Sequence, residues 1–255
     1  MAQRRQPDRS RGVFETLLVV DGEPVGLEAH LQRLTRSLEE VYSRPLPTQA
    51  EEELRRAAAH IDLGRLRLTL APAEDGLRID LLARGVDPET VFPSRGVKLR
   101  AHPVAGGLGS HKWLHRSGID CPAPAEAGAL IVDDGEILEA GWANVFAVRG
   151  GILCTPPLDG RLLPGTTRAA LLQLASEEEI EARELPLGND DLITAEEVFL
   201  SGSIRGIEPA LELDNQPLAG CGELSRRLAA ALREHWKLPA PQAAATEPKL
   251  GQPSR

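Results

Sequence analysis

A carboxylate, a small-residue turn and a lysine are the groups in this chain whose types and spacing could do chemistry together. Glu139 closes a short apolar run and is followed by Ala140-Gly141-Trp142-Ala143-Asn144-Val145-Phe146. Further on, Thr155-Pro156-Pro157 and then Leu163-Pro164-Gly165-Thr166-Thr167-Arg168 lead into a helical pattern. Backbone N–H groups at a helix start are unpaired and point outward, and with the helix dipole they favour a phosphate. Gly165 permits close approach of a ligand, and the Thr166 and Thr167 hydroxyls add donors. The same Pro-Gly-Thr run is also a common plain helix start, so the turn alone leaves phosphate binding open. A carboxylate such as Glu139, set beside a pyridine nitrogen, keeps that nitrogen protonated and makes the ring an electron sink.

Three further groups belong with these. Ser201-Gly202-Ser203-Ile204-Arg205-Gly206 ends a strand with two hydroxyls, two glycines and an arginine, an anion cradle or a plain exposed loop. Arg33 offers the planar fork that reads phosphate or carboxylate, although an arginine beside an apolar helix stripe is often surface. Lys112 lies in Ser110-His111-Lys112-Trp113-Leu114-His115-Arg116. A lysine attacks a carbonyl when it is desolvated or held near positive charge, and the neighbours His111, His115, Arg116 and Trp113 offer that setting. Most lysines are simply solvated.

The elements that must position these groups follow from periodicity. Residues 1–11 are polar and basic and are expected to be flexible. Val13 to Val20 reads as a strand, Asp21-Gly22 as a hairpin turn, and Pro24 to Leu27 as a short return strand. Leu31, Leu34, Leu38 and Val41 recur at helical spacing over Glu28 to Tyr42, with His30, Arg33 and Ser37 as a second stripe beside them. Thr48 and Glu51 form a capping-box pattern for a helix to about Ile61. Arg65–Leu70, Leu77–Ala83 and Val97–His102 alternate as half-buried strands do, giving an N-terminal α/β unit over residues 12–104.

Gly106-Gly107-Leu108-Gly109 reads as the crossing into a second unit, residues 105–238, which carries Lys112 and Glu139. Its predicted strands are Ala129–Asp133, Ile137–Leu138, Val145–Val148, Ile152–Cys154 and Val198–Ser201. Its predicted helices are Arg168 to about Glu179 and Glu223 to Trp236. Residues 239–255 lack periodicity and read as a disordered tail.

Composition excludes several classes. At 42% hydrophobic and 26% charged, the chain is an ordinary globular sequence with a mixed α and β pattern. A net charge of -9 argues against nucleic-acid binding through phosphate neutralisation. Cys121, Cys154 and Cys221 are widely spaced, without a metal-ligand or disulfide pattern, and read as reduced thiols. No apolar run is long enough for a membrane helix, so the cytoplasm is the default expectation.

Taken in order, Phe14-Glu15-Thr16, His30-Leu31-Gln32-Arg33-Leu34-Thr35-Arg36-Ser37, Lys112, Glu139 to Phe146, Leu163 to Arg168 and Ser201 to Pro209 resemble the class IV aminotransferases, the fold-type IV pyridoxal-phosphate enzymes. That resemblance covers nearly the whole chain apart from its two ends. It implies a two-domain fold like that of D-amino acid aminotransferase, with strands and flanking helices in each domain. It also implies pyridoxal 5'-phosphate as cofactor, a homodimer and a small-molecule substrate. Lys112 would carry the cofactor and shuttle the proton, and Glu139 would meet the ring nitrogen. Arg33, Asn144, Gly165, Thr166, Thr167, Ser203 and Ile204 would complete the cofactor site. His111-Lys112 with Arg116, and Ser203-Ile204-Arg205-Gly206, resemble runs of the 4-amino-4-deoxychorismate lyases, some of which are fused to aminodeoxychorismate synthase. This implies a lyase making 4-aminobenzoate for folate, with a synthase as possible partner and with Arg205 and His111 facing the substrate. A transaminase for branched-chain or D-amino acids, and a non-catalytic binding relative, are the alternatives. Trp142 is bulky for its place and implies a reshaped pocket.

Overall fold

The computed structural model describes residues 7–115 and 127–238; Arg116, Cys121 and the tail from residue 239 lie outside them. Its strands in chain order are β1 (Val13–Val20), β2 (Glu23–Pro24), β3 (Leu63–Ala73), β4 (Gly76–Gly85), β5 (Val97–Pro103), β6 (Ala127–Asp133), β7 (Glu136–Ala140), β8 (Ala143–Arg149), β9 (Ile152–Thr155), β10 (Ala182–Glu184), β11 (Glu197–Gly202), β12 (Gly206–Leu213) and β13 (Gln216–Pro217). The helices are α1 (Leu27–Tyr42), α2 (Ala50–Ala58), α3 (Thr166–Glu177), α4 (Asn189–Ile193) and α5 (Glu223–His235).

The first sheet has the order β2-β1-β3-β4 and is antiparallel throughout. The second runs β10-β9-β8-β11-β12-β5-β6-β7, and β7 pairs back onto β8, so its middle closes into a barrel-like ring. This is the mixed α and β, two-sheet architecture expected of fold-type IV enzymes.

Strand β1 holds the two units together because a strand sends alternate side chains to opposite faces. Val13, Leu17 and Val19 pack with Leu34, Leu38 and Leu54 beneath α1 and α2. Leu18 and Val20 face the other way, into a core with Phe146, Phe199, Leu228 and Trp236. Full burial of each such leucine stabilises by roughly 1.5–3 kcal/mol, so β1 is anchored from both sides. Its polar residues follow the same rule. Glu15 points toward α1, whereas Phe14 and Thr16 point toward the cleft described below.

Three sequence expectations are corrected. Val97–Pro103 is not a strand of the first sheet; it pairs with β12 and β6, so the change of sheet falls between Gly85 and Val97. Thr48 does not cap α2, whose first flanking residue is Gln49 in helical conformation with no side-chain cap. Arg9–Arg11 is one 3-10 turn, capped by the Asp8 carboxylate accepting from Ser10 N at 3.0 Å, where a flexible segment was expected.

Candidate active site

Lys112 is positioned by β1. Phe14 N donates to the Lys112 carbonyl at 2.9 Å, Leu114 N donates to the Gly12 carbonyl at 3.0 Å, and Val13 faces Trp113 across an isolated bridge. The segment therefore runs as a short extra strand on the edge of the first sheet, and Lys112 Nζ sits 5.2 Å from the centre of the Phe14 ring. A tight chamber of about 30 Å³ is lined by Lys112, Glu139, Gly165, Thr166, Thr167 and Ser201, among others. It opens into a cleft of about 980 Å³ that shares Lys112, Trp142, Ala143, Gly202 and Ser203 with it. The amine, the acid and the small-residue turn thus converge from distant parts of the chain.

Glu139 is 2% exposed on β7, and its Oε1 accepts from Leu163 N at 3.3 Å. Asn144, opposite Glu139 across the β7–β8 turn, donates Nδ2 to the Leu163 carbonyl at 3.0 Å. Both side chains therefore hold the approach to the turn that opens α3. Gly165 is required here by a close approach: a Cβ would lie 1.9 Å from Asn144 Oδ1. The glycine thus serves the packing of the turn against Asn144, with Thr166 and Thr167 beginning the helix directly after it.

Arg33 lines the chamber but is not an unpaired cation waiting for an anion. Its Nε and Nη2 donate to the two oxygens of Glu15 at 2.8 and 2.6 Å, and Nη1 donates to the Pro164 carbonyl at 2.9 Å. His30 Nδ1 lies 2.7 Å from Glu15 Oε2, and its Nε2 lies 3.2 Å from Thr166 Oγ1. Burial alone would push the Glu15 carboxyl up, yet the Arg33 and His30 neighbours hold it well below the ordinary carboxylate range. Burial lowers His30. This Glu15–Arg33–His30 cluster ties α1 and β1 to the turn before α3.

Ser203 Oγ donates to the Thr16 carbonyl at 2.8 Å, which joins β1 to the end of β11. Two other hydroxyls, Ser201 Oγ in the chamber and Thr16 Oγ1 on the cleft, are buried without a hydrogen-bond partner. Buried polar atoms of this kind call for a ligand to satisfy them. Ile204 lines the cleft rather than the chamber. His111 faces α1 instead, with Nδ1 3.1 Å from Ser37 Oγ and Nε2 3.5 Å from Glu40, and it lines neither cavity.

The cleft wall is cationic. Arg65 and Arg67, two apart on β3, both face it, and among the described residues neither has a carboxylate partner. Arg67 lies over the Phe14 ring at 4.6 Å. Arg205 is paired with Glu208 at 2.5 Å. Glu208, 1% exposed and raised by burial, also accepts from Trp142 Nε1 at 3.1 Å. The Trp142 indole fits only because Gly128 lacks a side chain; a Cβ there would lie 2.0 Å from the ring. Glu15, His30, Thr16, Arg65 and Arg67 were not singled out as site residues from sequence. A glutamate inside an otherwise apolar strand, and a polar stripe beside an apolar one on α1, were the available signals for the first two.

With the orphaned Ser201 hydroxyl, a helix N-terminus, and Glu139 and Lys112 on one lining, the chamber and the cleft beside it present the donor set that fits a phosphate-bearing pyridine ring. Among the described residues no cluster of His, Cys, Asp and Glu could hold a metal, and no helix is long and apolar enough to cross a membrane.

Over most of its length the chain is similar to known proteins. The model of the amino-transferase class IV family matches residues 12–213. The branched-chain-amino-acid aminotransferase of Escherichia coli K12 is 29% identical over 233 residues, covering 78% of this chain and 74% of that enzyme. A 4-amino-4-deoxychorismate lyase structure from Pseudomonas aeruginosa is 30% identical with a TM-score of 0.74, covering 88% of this chain and 91% of that one. A hypothetical aminotransferase from Mycobacterium tuberculosis in its PLP-bound form has a TM-score of 0.78 at 24% identity, covering 92% and 94%.

Proposed function

The chain belongs to the class IV aminotransferase family, and from that premise we propose that it is a pyridoxal-phosphate-dependent 4-amino-4-deoxychorismate lyase. The observation that carries this choice is the cleft wall of Arg65, Arg67 and Arg205 beside the flat faces of Phe14 and Trp142. Arg65 and Arg67, which have no carboxylate partner among the described residues, suit a cyclic substrate with carboxylates, and Arg205, held by Glu208, adds a third guanidinium. A branched aliphatic side chain would leave the first two without a counter-charge.

Bound pyridoxal phosphate supplies a ring that stores the electron pair left when the amine-bearing carbon loses its proton. The chain's own residues do the rest. The N-terminus of α3, with Thr166 and Thr167, binds the phosphate, and the Glu15–Arg33–His30 cluster keeps that turn in place. Glu139 holds the proton on the ring nitrogen. Lys112 would hold the cofactor, and its amine would take the proton from the amine-bearing carbon and pass it to the departing pyruvate. Arg65, Arg67 and Arg205 hold the substrate's carboxylates. Pyruvate departs and the ring becomes aromatic as 4-aminobenzoate, so neither water nor an amino acceptor is consumed.

The Escherichia coli relative favours a second reading, a branched-chain transaminase on the same cofactor site. The two are separated by incubating purified protein with aminodeoxychorismate alone. Formation of 4-aminobenzoate without a keto acid supports the lyase. No 4-aminobenzoate, with amino transfer from a branched-chain amino acid to a keto acid, overturns it. A homodimer is part of the same proposal and is checked by light scattering; association with a synthase is checked by co-purification.

A further inference from the structure

The hydrogen bonds around His30 can be counted, and the count depends on whether a phosphate is present. Both oxygens of Glu15 are taken by Arg33, and His30 Nδ1 is 2.7 Å from one of them. An ionised carboxylate only accepts, so Nδ1 carries a hydrogen. The other ring nitrogen, Nε2, is 3.2 Å from Thr166 Oγ1. If Nε2 is bare, that contact must be Thr166 O–H donating to the imidazole, which uses the hydroxyl's single proton. The chamber face of Thr166 Oγ1 then offers only lone pairs, and a phosphate monoester with close to two negative charges at neutral pH is repelled by them. If Nε2 bears a hydrogen, the imidazolium donates to Thr166 and the hydroxyl turns to donate to the phosphate.

The charges that face His30 come from four directions. Glu15 on β1 favours the imidazolium; Arg33 on its own helix and Lys112 on the segment after β5 oppose it. Thr166 on α3 is neutral and relays whatever lies beyond it. Burial disfavours the imidazolium in the absence of a ligand. A dianion arriving at the start of α3 adds negative charge on the chamber side of Thr166, and it tips this balance.

We infer that His30 is a positioning residue that takes up a proton as the cofactor's phosphate docks, and so turns the Thr166 hydroxyl into a phosphate donor. His30 lines neither the chamber nor the cleft and acts through Thr166. The inference rests on the cofactor and not on the choice between lyase and transaminase.

The probe is pyridoxine 5'-phosphate, which has no aldehyde and cannot bond to Lys112. Its binding to the full chain, stripped of cofactor, is followed by calorimetry at pH 7.5 in buffers of different ionisation enthalpy. Wild type takes up about one proton more than Thr166→Val, and its Kd rises about tenfold per pH unit on the alkaline side. Thr166→Ser keeps the extra proton, and His30→Gln loses it. Equal proton counts for wild type and Thr166→Val, with parallel pH profiles, would overturn the inference. Should His30→Gln fail to fold, the two Thr166 variants decide alone.

Discussion

Replacing Glu15 by Gln tests the frame on which the site is built. Glu15 and Arg33 are 2% and 7% exposed, and their two hydrogen bonds are short. In Glu15→Gln one oxygen is lost to an NH₂ group that faces a guanidinium or imidazole donor, and the Arg33 charge stays buried without its counter-ion. Breaking a buried pair from one side costs about 3–5 kcal/mol. For a chain of this size that is a fall in Tm of roughly 6–20 °C, at about 2–4 °C per kcal/mol. The double variant Glu15→Gln/Arg33→Met removes the stranded charge and recovers part of the loss, since the largest penalty is the buried charge left without its counter-ion. Calorimetric melts of wild type, both single variants and the double complete the cycle. A Glu15→Gln shift of less than about 2 °C, or a double variant less stable than the single, would refute the reasoning. Because Glu15 is held below its ordinary value, its contribution is present above an unfolded pKa of about 4.3 and fades as pH falls further. Wild type therefore loses more stability below about pH 4 than the double variant does.

Gly165→Ala drives a methyl into Asn144 Oδ1, 1.9 Å away, and forces Asn144 off the Leu163 carbonyl; cofactor retention weakens, and a melt shows a loss of about 1–3 kcal/mol. Arg67→Met keeps the aliphatic stem but removes the charge over Phe14. KM for aminodeoxychorismate is expected to rise about tenfold to a hundredfold with kcat little changed, whereas a branched-chain substrate should not be weakened. Glu139→Gln is expected to keep the cofactor yet slow proton exchange at the amine-bearing carbon by about a hundredfold or more, and an unchanged exchange rate removes Glu139 from its role.

What the sequence shows depends on how local the cause is. β1 begins and ends at the predicted residues because Gly12 and the Asp21-Gly22 turn bracket an apolar run. Glu139 and the Gly165 turn are legible because one sits near the end of an apolar strand and the other opens a helix, whereas Lys112 lies in an irregular segment after β5 and is placed only by its pairing with β1. β12 was missed because Pro209 breaks its pattern, although in the structure Pro209 pairs opposite Phe199 at the sheet. α4 is only five residues long and too short to show a helical period. Val97–Pro103 alternates correctly, but alternation carries no information about which sheet a strand joins. That choice is made by β12 and β6, which are distant in sequence.

The polar stripe of α1 shows why residue-by-residue site prediction stops short. His30, Arg33 and Ser37 look like the solvated flank of an amphipathic helix, and a lone arginine there is normally surface. All three are buried, at 2%, 7% and 4% exposure, because remote segments cover them: His30 and Arg33 both meet Glu15 on β1 and the turn at the start of α3, and Ser37 meets His111 next to Lys112. One helix face thus registers the strand that positions Lys112 against the turn proposed to receive the phosphate. A buried stripe of this kind is too costly unless every member is satisfied. Its partners are therefore as much part of the site as the groups that touch the ligand.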